Sequence, residues 1–403
     1  MGLKAEDFKK AHELIKEYLP YTPLIFNEWL SKKYGAKIYL KLENLQPVGS
    51  FKLRGALNKI AKLTEEERAR GVIAASAGNH AQGVAWAASK FGIEATIVMP
   101  INSPITKILN TEKLGAKVIL QGTNVDESFE FLDKYNQEKN HVYIHPFSDD
   151  DVILGQGSIA YELSEQLENF DFLFGSIGGG GLLAGVGSAL KNLGVNCSII
   201  GSQAQGACSM IRSLNQGSII ESKEVNTFAD GIKVKKPHQK MMELLDEILS
   251  DAVIVNDEQI SQSVLDLIEQ ARVITEGAGA INLAALDILF HQNPRRFKGK
   301  SIVIMICGGN IDINLVDRII EQGLISSSRR LKVKVFLEDV PGALNLLTKT
   351  ILDSNANVLQ VEHKRDDPRV KLNQSIVEVI LETRGHEHGQ KVMQALEKNF
   401  EIL

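Results

Sequence analysis

The sequence predicts an α/β unit with parallel β-sheets over residues 1–325, followed by a smaller ferredoxin-like α+β domain over residues 326–403. Three observations lead there. Short apolar runs alternate with amphipathic stretches through most of the chain, as in Val72 to Ala75 before Ala81 to Lys90, and Ala95 to Met99 before Pro104 to Leu114. Glycines gather where several of those runs end, which is where open parallel sheets bind ligands. After residue 325 the polar segment Ser326-Ser327-Ser328-Arg329-Arg330 interrupts the rhythm, and the remaining residues read as β-α-β-β-α-β.

The first informative element is the strand Lys37 to Glu43, which alternates apolar and polar side chains and is broken by Pro47 and Gly49. A helix is predicted from Phe51 to Leu63, so Lys52 stands in its first turn within Gly49-Ser50-Phe51-Lys52-Leu53-Arg54-Gly55-Ala56. An amine there acts as a nucleophile only when desolvation or a neighbouring charge partly neutralises it, and capture of a carbonyl cofactor is the commonest use. The alternative is an ordinary lysine on a helix surface. Further βα units are predicted at Lys117 to Leu120 and from Asp126 onward.

The strand Asp171 to Ile177 runs into Gly178-Gly179-Gly180-Gly181, and a helix is predicted from Leu182 to Leu193. Four glycines at such a junction expose backbone N–H groups. With the positive end of the helix dipole, those groups bind a phosphate without a charged side chain. Gly179 to Ala184 also fits the dinucleotide pattern G-x-G-x-x-A, which calls for an acidic residue about 20 positions on. The next strand, Cys197 to Gly201, ends in Ser202 and Gln203, which disfavours the nucleotide; a simple tight turn stays open. The strand Ser301 to Ile306 ends at Cys307.

Bulk properties exclude several classes. A net charge of −5 without a basic stripe argues against nucleic-acid binding. Cys197, Cys208 and Cys307 lack C-x-x-C spacing, so neither a disulfide framework nor a metal site is predicted. Met1-Gly2-Leu3-Lys4-Ala5-Glu6 carries no apolar secretory core and no acylation signal, and no apolar run reaches the roughly 20 residues of a membrane span. A soluble cytoplasmic protein is expected.

A nucleophilic lysine and a glycine cradle for a monophosphate together point to pyridoxal phosphate. The chain resembles the fold type II pyridoxal phosphate enzymes, and within them the threonine dehydratases (threonine ammonia-lyases). The motifs are Ser50 to Ala56, Ser76-Ala77-Gly78-Asn79-His80-Ala81-Gln82-Gly83, Gly178 to Leu182, Ala229-Asp230-Gly231 and Cys307-Gly308-Gly309-Asn310, in the family's order over roughly residues 15 to 320. The resemblance implies a tryptophan synthase β-like architecture of two subdomains, the smaller spanning about 52–150, with the cofactor in the cleft between them. It implies that Lys52 is the Schiff-base lysine and the base for the α-proton, that Phe51 packs near the cofactor ring, and that Asn79 partners the ring hydroxyl. Gly178, Gly179, Gly180, Gly181 and Leu182 would hold the phosphate, and Ser76, Ala77, Gly78 and Asn79 the substrate carboxylate. His80 stays open between packing and ligand contact.

The resemblance places Cys307 at the pyridine nitrogen, where other pyridoxal enzymes have a carboxylate. A neutral thiol there favours β-elimination over a long-lived carbanion, and Ala77 lacks the hydroxyl that relatives acting as serine racemases use to reprotonate the substrate. The acidic cation site of some relatives is replaced by Gln203, Ala207 and Ser209. The implied reaction takes L-threonine to 2-oxobutanoate and ammonia and L-serine to pyruvate. One methyl group distinguishes these substrates by only about 1–3 kcal/mol, so activity on both is expected. The alternatives are a serine or threonine racemase and a principal serine dehydratase; cysteine and tryptophan synthase relatives share the fold but match these motifs less well.

In the C-terminal segment, strands are predicted at Leu331 to Leu337, Asn357 to His363 and Gln374 to Glu382, and helices at Ala343 to Ser354 and His388 to Lys398. The turn Asp339 to Leu344 resembles that of ACT domains. This implies an amino-acid effector, isoleucine or valine, near Asp339, Pro341, Gly342 and Leu344, in a homodimer or homotetramer. A domain used only for oligomerisation is the other reading, and both isoleucine synthesis and threonine breakdown stay open as roles.

Overall fold

The structure is a computed structural model that describes residues 3–403. The chain divides into two compact units, one ending at Ile311 and one spanning Asp312–Leu403. The division falls earlier than residue 325, because the helix Ile313–Ser326 groups with the C-terminal sheet. Glu321 on that helix pairs with Arg330 and with Lys332 at 2.9 Å, both on the strand Arg330–Glu338.

Among the described residues the first unit holds two sheets. The larger has the strand order Leu24–Phe26, Lys37–Leu42, Ser301–Ile306, Phe172–Ser176, Ser198–Ala204, Leu249–Val255. All its pairings are parallel except that of Leu24–Phe26, an antiparallel edge strand. Ile302 to Ile306 are all buried, as expected where helices cover both faces of a parallel sheet and apolar runs replace alternation. The smaller sheet is parallel, in the order Lys117–Leu120, Ala95–Met99, Val72–Ala75, Val142–Tyr143. Separate apolar cores fill the two regions, one around Leu173, Leu183 and Val303, the other around Leu57, Val84 and Ile97.

Three strand-to-helix junctions aim at one place. The strand Lys37–Leu42 lies parallel to Ser301–Ile306 with Leu42 opposite Ile306, so the loops beyond both strands leave the sheet side by side. They are stitched together: Phe51 N–H donates to Cys307 O at 3.1 Å, and Gly309 N–H to Gly49 O at 2.8 Å. The strand Phe172–Ser176, on the other side of Ser301–Ile306, delivers the four glycines to the same edge. The helix Asn79–Lys90 follows the strand Val72–Ala75 of the smaller sheet.

The second unit is a four-stranded antiparallel sheet in the order Asn357–Lys364, Gln374–Glu382, Arg330–Glu338, Glu401–Ile402. Helices Ala343–Asp353 and His386–Asn399 contribute Leu347, Ile351, Val392 and Leu396 to a core with Val333, Val335, Val377 and Val379.

Candidate active site

Lys52 opens the helix Lys52–Ala61, and its Nζ donates to the Pro146 carbonyl at 2.8 Å. Burial holds its ammonium down to about 8, while the carboxylate of Glu276 works in the opposite direction. Phe51, Lys52, Asn79 and Cys307 line one cavity with Gly178 to Gly181 and Leu182. Residues separated by more than 250 positions therefore converge on one cavity.

The glycine loop is built for backbone contact. Gly180 takes a left-handed φ of 94°, which an L side chain rarely adopts, and caps the helix Gly181–Asn192 without any side-chain hydrogen bond. A Cβ on Gly179 would stand 2.2 Å from the Phe147 ring. The first-turn amides of a 12-residue helix thus meet the cavity across a loop with no side chains, an arrangement that fits a phosphate.

Asn79 is gripped from two sides. Its Nδ2 donates to Glu276 Oε1 at 2.7 Å, and its Oδ1 accepts from Asn310 Nδ2 at 2.7 Å, so the amide orientation is determined. Cys307 Sγ is buried beside Ser176, whose Oγ donates to it at 3.3 Å. Burial pushes the Cys307 thiol up to about 11, so it is neutral at physiological pH. Amine, phosphate cradle, amide and neutral thiol together match the functional groups of pyridoxal phosphate.

Ser76, Ala77 and Gly78 immediately precede Asn79 but are not among the lining residues; Gly78 N–H donates to Ser76 Oγ at 3.2 Å. His80 is buried with Nε2 2.8 Å from Ile144 O, and burial pushes it down to about 3, so it is a neutral packing residue. In the second unit Asp339 is held by Arg365 through Nε at 2.9 Å and Nη2 at 3.0 Å, which keeps its carboxyl below the ordinary range. Gly342 there has φ 95° and caps the helix Ala343–Asp353, in whose first turn Leu344 is exposed; Pro341 sits in the preceding turn.

Sequence reasoning gave no role to five cavity residues, Phe147, Ser176, Ile232, Glu276 and Ala278, and named Gly231 only within its motif. Glu276 stands at the start of the helix Gly277–Gln292, directly before Gly277-Ala278-Gly279. A glutamate followed by G-x-G was the available signal. Phe147 had no local signal, since its role depends on Gly179 lying against its ring.

The family profile described as pyridoxal-phosphate dependent enzyme matches residues 15–308. An L-threonine ammonia-lyase of Thermotoga maritima is 45% identical over 98% of this chain and 98% of its own length. The processed form of threonine deaminase isoform 2 from Solanum lycopersicum superposes with a TM-score of 0.74 at 36% identity, covering 79% of this chain and 92% of that one. Maize serine racemase superposes with a TM-score of 0.75 at 31% identity, covering 81% and 99%. With the lysine, the glycine loop and the thiol in one cavity, the chain belongs to the family of pyridoxal-phosphate dependent enzymes.

Proposed function

We propose that this protein deaminates L-threonine to 2-oxobutanoate and ammonia, with L-serine giving pyruvate as a side reaction. The observation that carries this reading is the meeting of a desolvated Lys52 Nζ with the four-glycine loop in one cavity, in a chain 45% identical to an L-threonine ammonia-lyase. When bound, pyridoxal phosphate supplies an aldehyde that captures amines and a ring that withdraws charge from the substrate's α-carbon.

The chain's own residues do the rest. Lys52 is the nucleophile for the cofactor and accepts the substrate's α-proton at Nζ, a role that a depressed amine pKa favours. Amides of Gly178 to Gly181 and Leu182 would hold the phosphate, Phe51 would flank the ring, and Asn79 would direct its amide to the ring hydroxyl. Ser76, Ala77 and Gly78 receive the substrate carboxylate on hydroxyl and backbone donors. Cys307 would face the ring nitrogen as a neutral thiol, offering no negative charge there, which would favour loss of the β-hydroxyl. Ala77 carries no proton donor for racemisation.

The C-terminal unit we assign as an ACT-like module, functioning in a homodimer or homotetramer. Its effector, isoleucine or valine, would bind at Asp339, Pro341, Gly342 and Leu344; the exposed Leu344 beside the positive-φ turn supports an apolar ligand there.

The test is 2-oxo acid production by the cofactor-loaded protein from L-threonine and L-serine, each with and without L-isoleucine. Threonine turnover is expected, and its absence with both substrates overturns the reaction. A truncation ending at residue 325 should lose the isoleucine response; full retention refutes the regulatory assignment.

A further inference from the structure

We propose that Glu276 is a positioning residue for this reaction: seated between Gly231 and Gly308, its carboxylate holds the Asn79 amide and is the negative charge that Lys52 experiences in the cofactor cavity. The proposal rests on the pyridoxal phosphate reading of the cavity and adds a residue to it.

The geometry begins with space. A Cβ on Gly308 would stand 2.5 Å from Glu276 Oε1, and a Cβ on Gly231 would stand 2.9 Å from it. The Ala229-Asp230-Gly231 and Cys307-Gly308-Gly309-Asn310 motifs therefore both leave room for the same carboxylate oxygen. The backbone is tied down as well: Glu276 N–H donates to Gly308 O at 3.1 Å, and Thr275 Oγ1 donates to the same oxygen at 2.8 Å. Into this seat Asn79 Nδ2 donates at 2.7 Å, while Asn310 fixes the other end of the amide. With one amide N–H spent on Glu276, the second is the one left for the ligand.

Charge gives the seat its chemical meaning. Among the cavity's lining residues Glu276 is the sole carboxylate. The charged or titratable groups facing it are Lys52, Lys107, Asp230 and Cys307, with Asn79 in direct contact. Burial raises its carboxyl to about 7; the Asn79 hydrogen bond, Lys107 and Lys52 pull it down, and Asp230 pushes it up. Its charge favours a protonated amine at Lys52. With the neutral Cys307 assigned to the ring nitrogen, Glu276 is the one protein carboxylate that lines the cavity.

The test compares holoenzymes of wild type, Glu276→Gln and Glu276→Asp. Glutamine keeps the shape and still accepts from Asn79, so far-UV circular dichroism and Tm should match wild type. The readout is the pH titration of the bound cofactor's absorbance, which needs no turnover. Losing the carboxylate should move the midpoint down by about one pH unit or more, as removal of an adjacent opposite charge does. Glu276→Asp, with the charge retained, should return the midpoint toward wild type. In Glu276→Gln, kcat should fall by about 10- to 100-fold, typical of a residue that orients a ligating group, while KM moves far less. Coincident midpoints in wild type and Glu276→Gln overturn the proposal, as does an Asp variant that titrates like Gln. A wild type inert toward threonine overturns the assigned substrate, and the absorbance titration still decides Glu276.

Discussion

Lys41 on the strand Lys37–Leu42 is wholly withdrawn from water and Lys52 at the start of the helix Lys52–Ala61 is partly so, and their surroundings differ in kind. Lys41 is fully buried and its Nζ donates to Thr22 O at 2.9 Å, Glu162 Oε2 at 2.6 Å and Gln166 Oε1 at 2.9 Å. Arg54 completes that cluster with a two-point pair to Glu43 at 2.8 Å and a contact to Glu162 at 2.6 Å. Two cations meet two carboxylates, and every Lys41 proton has an acceptor. Lys52 Nζ instead has the Pro146 carbonyl at 2.8 Å and senses Glu276 through space. Burial lowers the proton affinity of both amines, but Glu43 and Glu162 oppose it at Lys41, whereas Glu276 alone opposes it at Lys52.

The largest test of that contrast is Lys52→Ala. Turnover should fall by about 10⁴-fold, since both nucleophile and base are lost. The unfolding free energy should move by less than about 1.5 kcal/mol, the worth of one hydrogen bond. Oxo acid assays beside urea denaturation measure both, and a large loss of stability would erase the distinction between the two lysines.

Arg54→Met inverts the expectation. It leaves Glu43 and Glu162 buried without their guanidinium, which costs about 3–5 kcal/mol in urea unfolding. Lys41→Met should cost less, because Glu162 keeps Arg54. Equal costs would show that the cluster does not act as a shared network.

A pH measurement sharpens the comparison without mutation. With Lys52 held at about 8 rather than 10.5, the neutral amine at pH 7 is about 300-fold more abundant than for an ordinary lysine. The neutral form is the nucleophile, so cofactor uptake by the cofactor-free enzyme should accelerate as pH rises through about 8 and level off above it. A rate still climbing past pH 10 would mean that Lys52 is an ordinary surface amine.

The smallest effect concerns the cradle. In Gly179→Ala the new methyl meets the Phe147 ring at 2.2 Å before relaxation, an overpacking of about 1–3 kcal/mol. Cofactor binding should weaken by about tenfold or more in an absorbance titration, with no change in the Lys52 profile. An unchanged Kd would show that the loop tolerates side chains and that Phe147 does not shape it.

Much of this was readable in one dimension. Lys52 at a strand-to-helix turn, the four glycines after Phe172–Ser176, and Cys307 at the end of Ser301–Ile306 are local backbone features, and local features leave local signatures. The C-terminal β-α-β-β-α-β order was legible for the same reason, through side-chain periodicity. The alternation of Lys37 to Glu43, by contrast, resembles a half-solvated strand, whereas Lys41 and Glu43 are fully buried among partners from Thr22 to Glu162. The grouping of Ile313–Ser326 with the second unit depends on ion pairs to a strand that its own periodicity does not reveal.

The sequence by itself determined where the backbone must take special conformations and which groups stand at the ends of the parallel strands, because those properties depend on near neighbours in the chain. Only the tertiary structure decided which buried charges are balanced and which are not. Glu276 reaches Asn79 across 197 positions and Arg54 reaches Glu162 across 108. Desolvation and Coulomb energies depend on distances in space, and no periodicity or spacing along the chain records them.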